Sequence, residues 1–377
     1  MKTSQGWRRT NRAFGYGLLG LLAGLGGCAD GPEFVRFVAI GDIGTAGPGQ
    51  RRVAGAIASR ARDDPVQFLL TLGDNFYPAG VISQDDPQWA STIEEVYADA
   101  ALRVPMYPTL GNHDHQGLPI VEIRYSEESD TWSMPASYYS FSRFLTDGTE
   151  VAFFALDTES IRTGLTGRRD AASLGRRVQT VRVDLERRRT SLSEDLVRFI
   201  AERLHENDNF TVSRIVNLAR RTGRDIDEGL VREAIAGSVP EDYRAQLEWL
   251  DQELAESTAR WKIVYGHYPL YGHHPTRGHL RAMIDRVEPL LVRHGVDLYV
   301  AGHDHLVDMM KPINGVHYVT SGGGGGDDNP YPIDRTDESY YIATGGGFTL
   351  FRVTTEQIEV ELVDIDGVTR HTHIFAK

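Results

Sequence analysis

Cysteine is almost missing from this chain of 377 residues, Cys28 being the only one. Without a second thiol there is no intrachain disulfide, so the core or bound groups must hold the fold. Cations are scarce too: 40 Lys and Arg face 53 Asp and Glu, for a net charge of −13. Residues 1–27 carry Lys2, Arg8, Arg9 and Arg12 and no acid, which leaves the remainder near −17. That balance lacks the basic footprint needed to neutralise nucleic-acid phosphates, so no nucleic-acid partner is expected. The run Leu18–Gly27 (LLGLLAGLGG) is too short and too glycine-rich to cross a bilayer. The glycines at 322–326 are not followed by Gly-Lys-Ser/Thr, so they make no nucleotide phosphate loop and read as a tight loop at a site's rim. No serine or cysteine nucleophile has an evident neighbouring base. The rest is ordinary: 41% hydrophobic and 25% charged residues describe a globular domain or two.

The N-terminus reads as a targeting segment. A basic stretch ends at Arg12, the apolar run follows, and Leu25-Gly26-Gly27-Cys28 resembles a lipobox, in which the thiol is lipidated and becomes the mature end. The expectation is a signal peptide over 1–27, a short linker over 28–33 and export to the cell envelope or periplasm with a lipid anchor at Cys28. An ordinary signal peptide followed by a stray cysteine is the blander alternative.

Beyond residue 34, apolar β-rich runs alternate with helical patterns. Phe34–Ile40, Val66–Leu72 and Pro105–Leu110 read as strands, with helices at Gln50–Arg62 and Ile93–Leu102. The alternation resumes with a strand at Val151–Leu156, a helix at Tyr243–Leu254 and a strand at Lys262–Tyr265. It continues with a helix at Leu280–Val292 and a strand at Asp297–Ala301; only strands follow Val316. Such alternation predicts buried sheets with helices outside. Residues 158–240 break the pattern with helical stripes alone, such as Leu196, Phe199, Ile200 and Leu204. They read as a helical insertion between 34–157 and 241–377. Its opening, 162–189, holds nine Arg against Asp170, Asp184 and Glu186. A solvated helix face explains such a charge run; contact with anionic lipid or a polyanionic substrate is the sharper alternative.

Histidine placement carries the chemistry. Windows 111–115, 267–279 and 303–305 hold eight of the 13 histidines, where an even spread would put fewer than one. They lie within five short motifs: Gly41-Asp42-Ile43-Gly44, Gly73-Asp74-Asn75-Phe76-Tyr77, Gly111-Asn112-His113-Asp114, Gly266-His267-Tyr268-Pro269 and Gly302-His303-Asp304-His305. Each follows a strand expected from the pattern, with a glycine turning the chain and a donor side chain immediately after. That gathers five loops at the carboxyl edge of the sheets, where open α/β sheets bind ligands. Carboxylate, amide and imidazole donors in one place are what a metal site needs.

This set, with Leu110–Gln116 (LGNHDHQ) and Gly266–Leu270 (GHYPL), resembles the metallophosphoesterase superfamily and, within it, the small tartrate-resistant type of purple acid phosphatase. The likeness spans about 34–157 and 241–377. It implies an α/β fold, a four-layer α-β-β-α sandwich of two mixed sheets. Carried onto matching positions, it implies that Asp42, Tyr77 and His305 bind Fe(III), that Asn112, His267 and His303 bind a divalent ion (Fe, Zn or Mn), and that Asp74 bridges them. Tyr77 separates this type from relatives with Asp-x-His in the first motif, because here Gly44 stands two residues after Asp42.

The implied activity is an acid phosphatase in which a metal-bound hydroxide attacks small phosphomonoesters. His113 is the candidate for stabilising charge or protonating the leaving oxygen, with Asp114 orienting it. The resemblance also places a histidine near the phosphate after Gly266–Pro269; His273, His274 and His279 compete, with His274 put forward. A phosphodiesterase or nucleotide phosphatase would use the same metals, and a surface binding protein with a spent core is the rival from another class.

Overall fold

A computed structural model of the chain describes residues 32–163, 243–325, 333 and 337–377. The first half runs β1 (Val35–Ile40), α1 (Pro48–Asp63), β2 (Phe68–Leu72), β3 (Met106–Thr109), α2 (Pro119–Tyr125), β4 (Tyr139–Phe144), β5 (Glu150–Ala155) and α3 (Thr158–Thr163). Then come α4 (Tyr243–Glu256), β6 (Trp261–Tyr265), α5 (Arg281–Arg286), α6 (Glu288–Arg293), β7 (Leu298–Ala301) and β8 (Leu306–Met310). The chain closes with β9 (His317–Ser321), β10 (Ser339–Thr344), β11 (Gly347–Val353), β12 (Gln357–Asp364) and β13 (Thr369–Ala376). Apart from Thr158–Thr163, the helical stripes expected over 158–240, like the leader and Cys28, lie outside the described residues.

The strands form two mixed sheets. One has the order β13-β12-β11-β1-β2-β3, the other β10-β8-β9-β7-β6-β5-β4. β1, β2 and β3 are parallel, as are β5, β6, β7 and β9; antiparallel strands complete each sheet. The parallel strands are apolar on both faces because both faces are covered. In β5, Val151, Phe153 and Ala155 join the core between the sheets. Ala152 and Phe154 join a second core with Leu250 of α4, Met283 of α5 and Leu291 of α6. Rings lock the sheets together: Phe153 meets Phe37 and Phe68 edge-on at 5.3 and 5.4 Å. The layers are those of the expected α-β-β-α sandwich.

Two expected helices differ. Residues 93–102 do not form one helix; a π-helical turn at Trp89–Glu94 and a 3₁₀ turn at Ala100–Leu102 replace it. There Asp99 caps the short turn by accepting from Ala101 N at 3.0 Å, so the chain restarts instead of continuing. The expected helix 280–292 is split into α5 and α6 around Val287, because Pro289 has no N–H to continue the ladder and sits in the first turn of α6. The strands β4, β8 and β10 carried no sequence expectation.

Every motif follows a parallel strand: β1, β2 and β3 in the first sheet, β6 and β7 in the second. The loops therefore meet at one edge, across both sheets.

Candidate metal centre

The local backbone at this edge is unusual. Asp42, Asp74 and His303 sit in the left-handed region, with φ of 61°, 50° and 67°. Such conformations cost about 1–3 kcal/mol each in a non-glycine residue and persist where function demands them. Neighbouring glycines make room. A Cβ on Gly111 would stand 2.2 Å from the Asp74 amide nitrogen and carboxylate, and one on Gly322 would stand 2.7 Å from Asp42 Oδ2. The glycine run thus lies against the Asp42 loop.

Each carboxylate is half committed. Asp42 Oδ2 accepts from His303 N at 2.8 Å, and Asp74 Oδ1 accepts from His113 N at 2.8 Å. Their other oxygens face the centre. Asp42 Oδ1 lies 3.1 Å from the Tyr77 hydroxyl and 3.3 Å from His305 Nε2; that hydroxyl lies 3.4 Å from His305 Nε2. On the other side His267 Nε2 is 3.2 Å from Asn112 Oδ1 and 3.1 Å from His303 Nδ1. Asp74 Oδ2 joins both groups, 3.0 Å from the Tyr77 hydroxyl and 3.5 Å from His267 Nε2. Hence all seven expected ligands come together.

The donor set fits two cations. Atoms 3.0–3.5 Å apart have the spacing of neighbours around an ion about 2.1 Å from each. His267 Nδ1 is 2.8 Å from the Leu72 carbonyl, which takes its proton and leaves the Nε2 lone pair facing inward. Asp42, Asp74 and His267 are all buried and form one potential ion-holding cluster among the described residues. The carboxylate charges lean on the imidazoles. Burial would raise Asp42, but the hydrogen bond and charge of His305 hold its carboxyl below the usual range. Burial would lower His267, yet the Asp74 and Asp42 carboxylates raise it. The Tyr77 phenol is pushed well up, by burial first and then by the charges of Asp42 and Asp74. Only a strong Lewis acid would draw that proton off near neutral pH.

Of the expected catalytic residues, His113 stands at the mouth. Its Nδ1 lies 2.6 Å from the Pro78 carbonyl, its ring packs 4.5 Å from that of Tyr77, and its Nε2 is 4.0 Å from Asp74 Oδ2. Asp114 does not orient it, contrary to expectation. It is fully buried and accepts from Gly111 N at 2.7 Å, Asn75 N at 2.9 Å and Phe76 N at 3.2 Å. Those backbone donors draw its carboxylate inward, tying the Asp74 loop to the Asn112 loop. Burial, then the Asp74 charge, raises the Asp114 carboxyl to about 7.

The three competing histidines also separate. His273 spans Asp308 Oδ2 at 2.6 Å and Glu338 Oε2 at 3.1 Å, and His279 Nε2 lies 3.9 Å from the same Glu338 oxygen. His274 is engaged within its own turn, its Nδ1 accepting from Thr276 N at 3.3 Å; burial first, then the charges of Arg277 and His305, lower its pKa.

Some participants escaped the sequence reading. Tyr268 donates to Asn112 Oδ1 at 3.1 Å and packs its ring 4.3 Å from that of His303. The Arg162 guanidinium lies 4.8 Å over the Tyr268 ring and is held by Glu159. His115 pairs with Asp157 at 2.9 Å. Tyr268 lies inside the Gly266–Pro269 motif, so its place was visible though its role was not; Asp157 had no local signal, and Arg162 showed only as one of the nine Arg in 162–189.

Fold and donor set together define a metal-dependent phosphoesterase. The pattern of the calcineurin-like phosphoesterase family matches residues 35–178 and 186–307. Mouse tartrate-resistant acid phosphatase type 5 is 30% identical over 349 residues, 88% of each chain, and Arabidopsis thaliana purple acid phosphatase 17 is 26% identical over 91% of this chain and 85% of its own. Among solved structures, GAP50, the anchor in the inner membrane complex of Plasmodium, superposes with a TM-score of 0.62 at 19% identity, covering 91% of this chain and 89% of that one. The chain belongs to the calcineurin-like phosphoesterase family, in its tartrate-resistant and purple acid phosphatase branch, and is an enzyme of the phosphoric monoester hydrolase class. Membership implies a dinuclear metal centre.

Proposed function

We propose that the protein hydrolyses small phosphomonoesters at a pair of ions, one ferric and one divalent. Asp42, Tyr77 and His305 hold Fe(III), Asn112, His267 and His303 hold a divalent iron, zinc or manganese ion, and Asp74 is shared. The observation that carries this reading is the position of Asp74 Oδ2, 3.0 Å from the Tyr77 hydroxyl and 3.5 Å from His267 Nε2. Carboxylate and phenolate suit a hard trivalent ion, and imidazole with an amide oxygen suits a softer divalent one. When bound, the cations polarise the phosphoryl oxygens and lower the pKa of coordinated water.

The side chains then do the positioning. Asp42 and Asp74 keep their inward oxygens in place because the outer ones are tied to backbone N–H groups. Tyr268 keeps the Asn112 amide oxygen turned to the second ion. His113 donates Nδ1–H to the Pro78 carbonyl, so a proton on Nε2 is the one to pass to the departing ester oxygen. His274, whose Nδ1 accepts from Thr276 N at 3.3 Å, is the histidine assigned to the phosphate on the strength of the family resemblance. Export with a lipid anchor at Cys28 belongs to the same proposal and is supported by the Leu25–Cys28 sequence.

Metal analysis of the purified protein, run with a panel of phosphomonoesters, phosphodiesters and nucleotides, tests this reading. Two ions per chain, one of them iron, and faster turnover of monoesters are expected. A fully metallated protein that prefers diesters, or turns over nothing, overturns it.

A further inference from the structure

The segment 271–280 is a built loop. Leu280 N donates to the Leu270 carbonyl at 2.9 Å, closing its base, and Arg277 N and Gly278 N both donate to the His274 carbonyl, at 3.2 and 3.0 Å. His273 fastens it to β8 through Asp308 and to the residue before β10, Glu338. At Gly272 the backbone lies so close to β7's outgoing loop that a Cβ would stand 2.6 Å from Asp304 Oδ2. The loop therefore holds Arg277 beside the metal centre from a fixed position, against the His303 carbonyl.

Arg277 differs from the other cation beside the centre. Arg162 is satisfied by Glu159 in three contacts of 3.0–3.1 Å. Arg277 uses one nitrogen, Nη1, for the His303 carbonyl and for a long 3.4 Å contact with Asp304 Oδ1. Its Nε and Nη2 have no acceptor among the described residues, and its side chain is 35% exposed. A guanidinium has five donors in a rigid fork suited to carboxylate and phosphate oxygens. Here one arm is anchored on the His303 carbonyl and the other is open beside the metal centre.

We propose that Arg277 is a specificity-determining residue that takes a second anionic group on the substrate, so that phosphomonoesters bearing a carboxylate or another phosphate are favoured over neutral ones. This rests on the hydrolase reading above. The reacting phosphoryl group goes to the ions, and the second anion pairs with the open arm of Arg277.

The test compares two esters of nearly equal size: phosphoglycerate and glycerol phosphate, each with its phosphate on a terminal carbon, differing in a carboxylate against a hydroxymethyl group. The metal-loaded wild type should favour phosphoglycerate about tenfold in kcat/KM at low salt, as expected of one charge-assisted pair. Arg277→Gln should bring the ratio near one. Arg277→Lys keeps the charge and a donor for the His303 carbonyl but loses the fork, and should lower the ratio severalfold. A wild-type ratio of one or less, or a ratio unchanged in either variant, overturns the inference. The binding ratio of the same esters, read by calorimetry on metal-assayed samples, should move in parallel. Turnover of neither ester would refute the hydrolase reading while the binding ratio still decides the role of Arg277.

Discussion

Asp74→Asn probes the shared position most directly. Asparagine tolerates the left-handed backbone at 74 better than most residues, so the φ of 50° should survive the change. The amide has one oxygen, and the His113 N–H at 2.8 Å requires an acceptor where Oδ1 now lies. The NH2 group must then take the place of Oδ2, between the Tyr77 hydroxyl and His267 Nε2. A donor thus replaces the acceptor that both ions would share. Changes to groups that merely support metal ligands cost about 10–100-fold in affinity, so loss of a shared ligand should exceed 100-fold, about 2.7 kcal/mol. Saturating metal should raise the melting temperature of the wild type, and that gain should shrink by roughly 5 °C in the variant. The metal-free proteins should differ little, or the variant should be the more stable, since a buried carboxylate has gone. Thermal unfolding with and without metal, elemental analysis and turnover form the assay. Two tightly held ions together with more than about a tenth of wild-type activity would refute the argument.

Tyr77→Phe keeps the ring packed on His113 but removes the only phenol in the donor set; the purple to pink colour expected of the oxidised, iron-loaded wild type should vanish, and activity should fall less than in Asp74→Asn. A colourless wild type with full iron occupancy would exclude ferric–tyrosinate ligation. The His115–Asp157 pair gives a pH prediction. Burial alone would lower His115, but the Asp157 charge and hydrogen bond raise it to about 9 from an ordinary 6.5. Its contribution is therefore complete below pH 6.5 and lost as pH rises through about 9. With 24% of the His115 side chain exposed, solvent screens the pair and about 2 kcal/mol is the expected size. Urea unfolding of wild type and His115→Gln across that range should show the slope in the wild type alone; equal slopes would dismiss the pair. Cys28→Ser should release the protein from membranes or leave its precursor uncleaved, and identical soluble fractionation of both forms would end the lipid-anchor proposal.

Sequence alone determined the layers and the cluster of donors. Parallel strands covered on both faces must be apolar throughout, so β1, β5 and β7 stood out as short unbroken runs. A glycine followed by a donor at each strand end is a local pattern, and five of them in order imply one shared edge. What one position does for another was invisible, because it depends on contacts across long stretches of chain. Asp114 looked like a partner for its neighbour His113, yet three backbone N–H groups from two loops draw its carboxylate inward. His273, His274 and His279 were indistinguishable until Asp308 and Glu338, more than 30 residues away, engaged two of them. The split of 280–292 came from Pro289, a signal present in the sequence but outweighed by the helical stripe. The left-handed backbone at Asp42, Asp74 and His303 is likewise a tertiary result. No residue there prefers that conformation by itself; the two sheets, meeting at one edge, hold the strained loops in register so that separate donors face the same point.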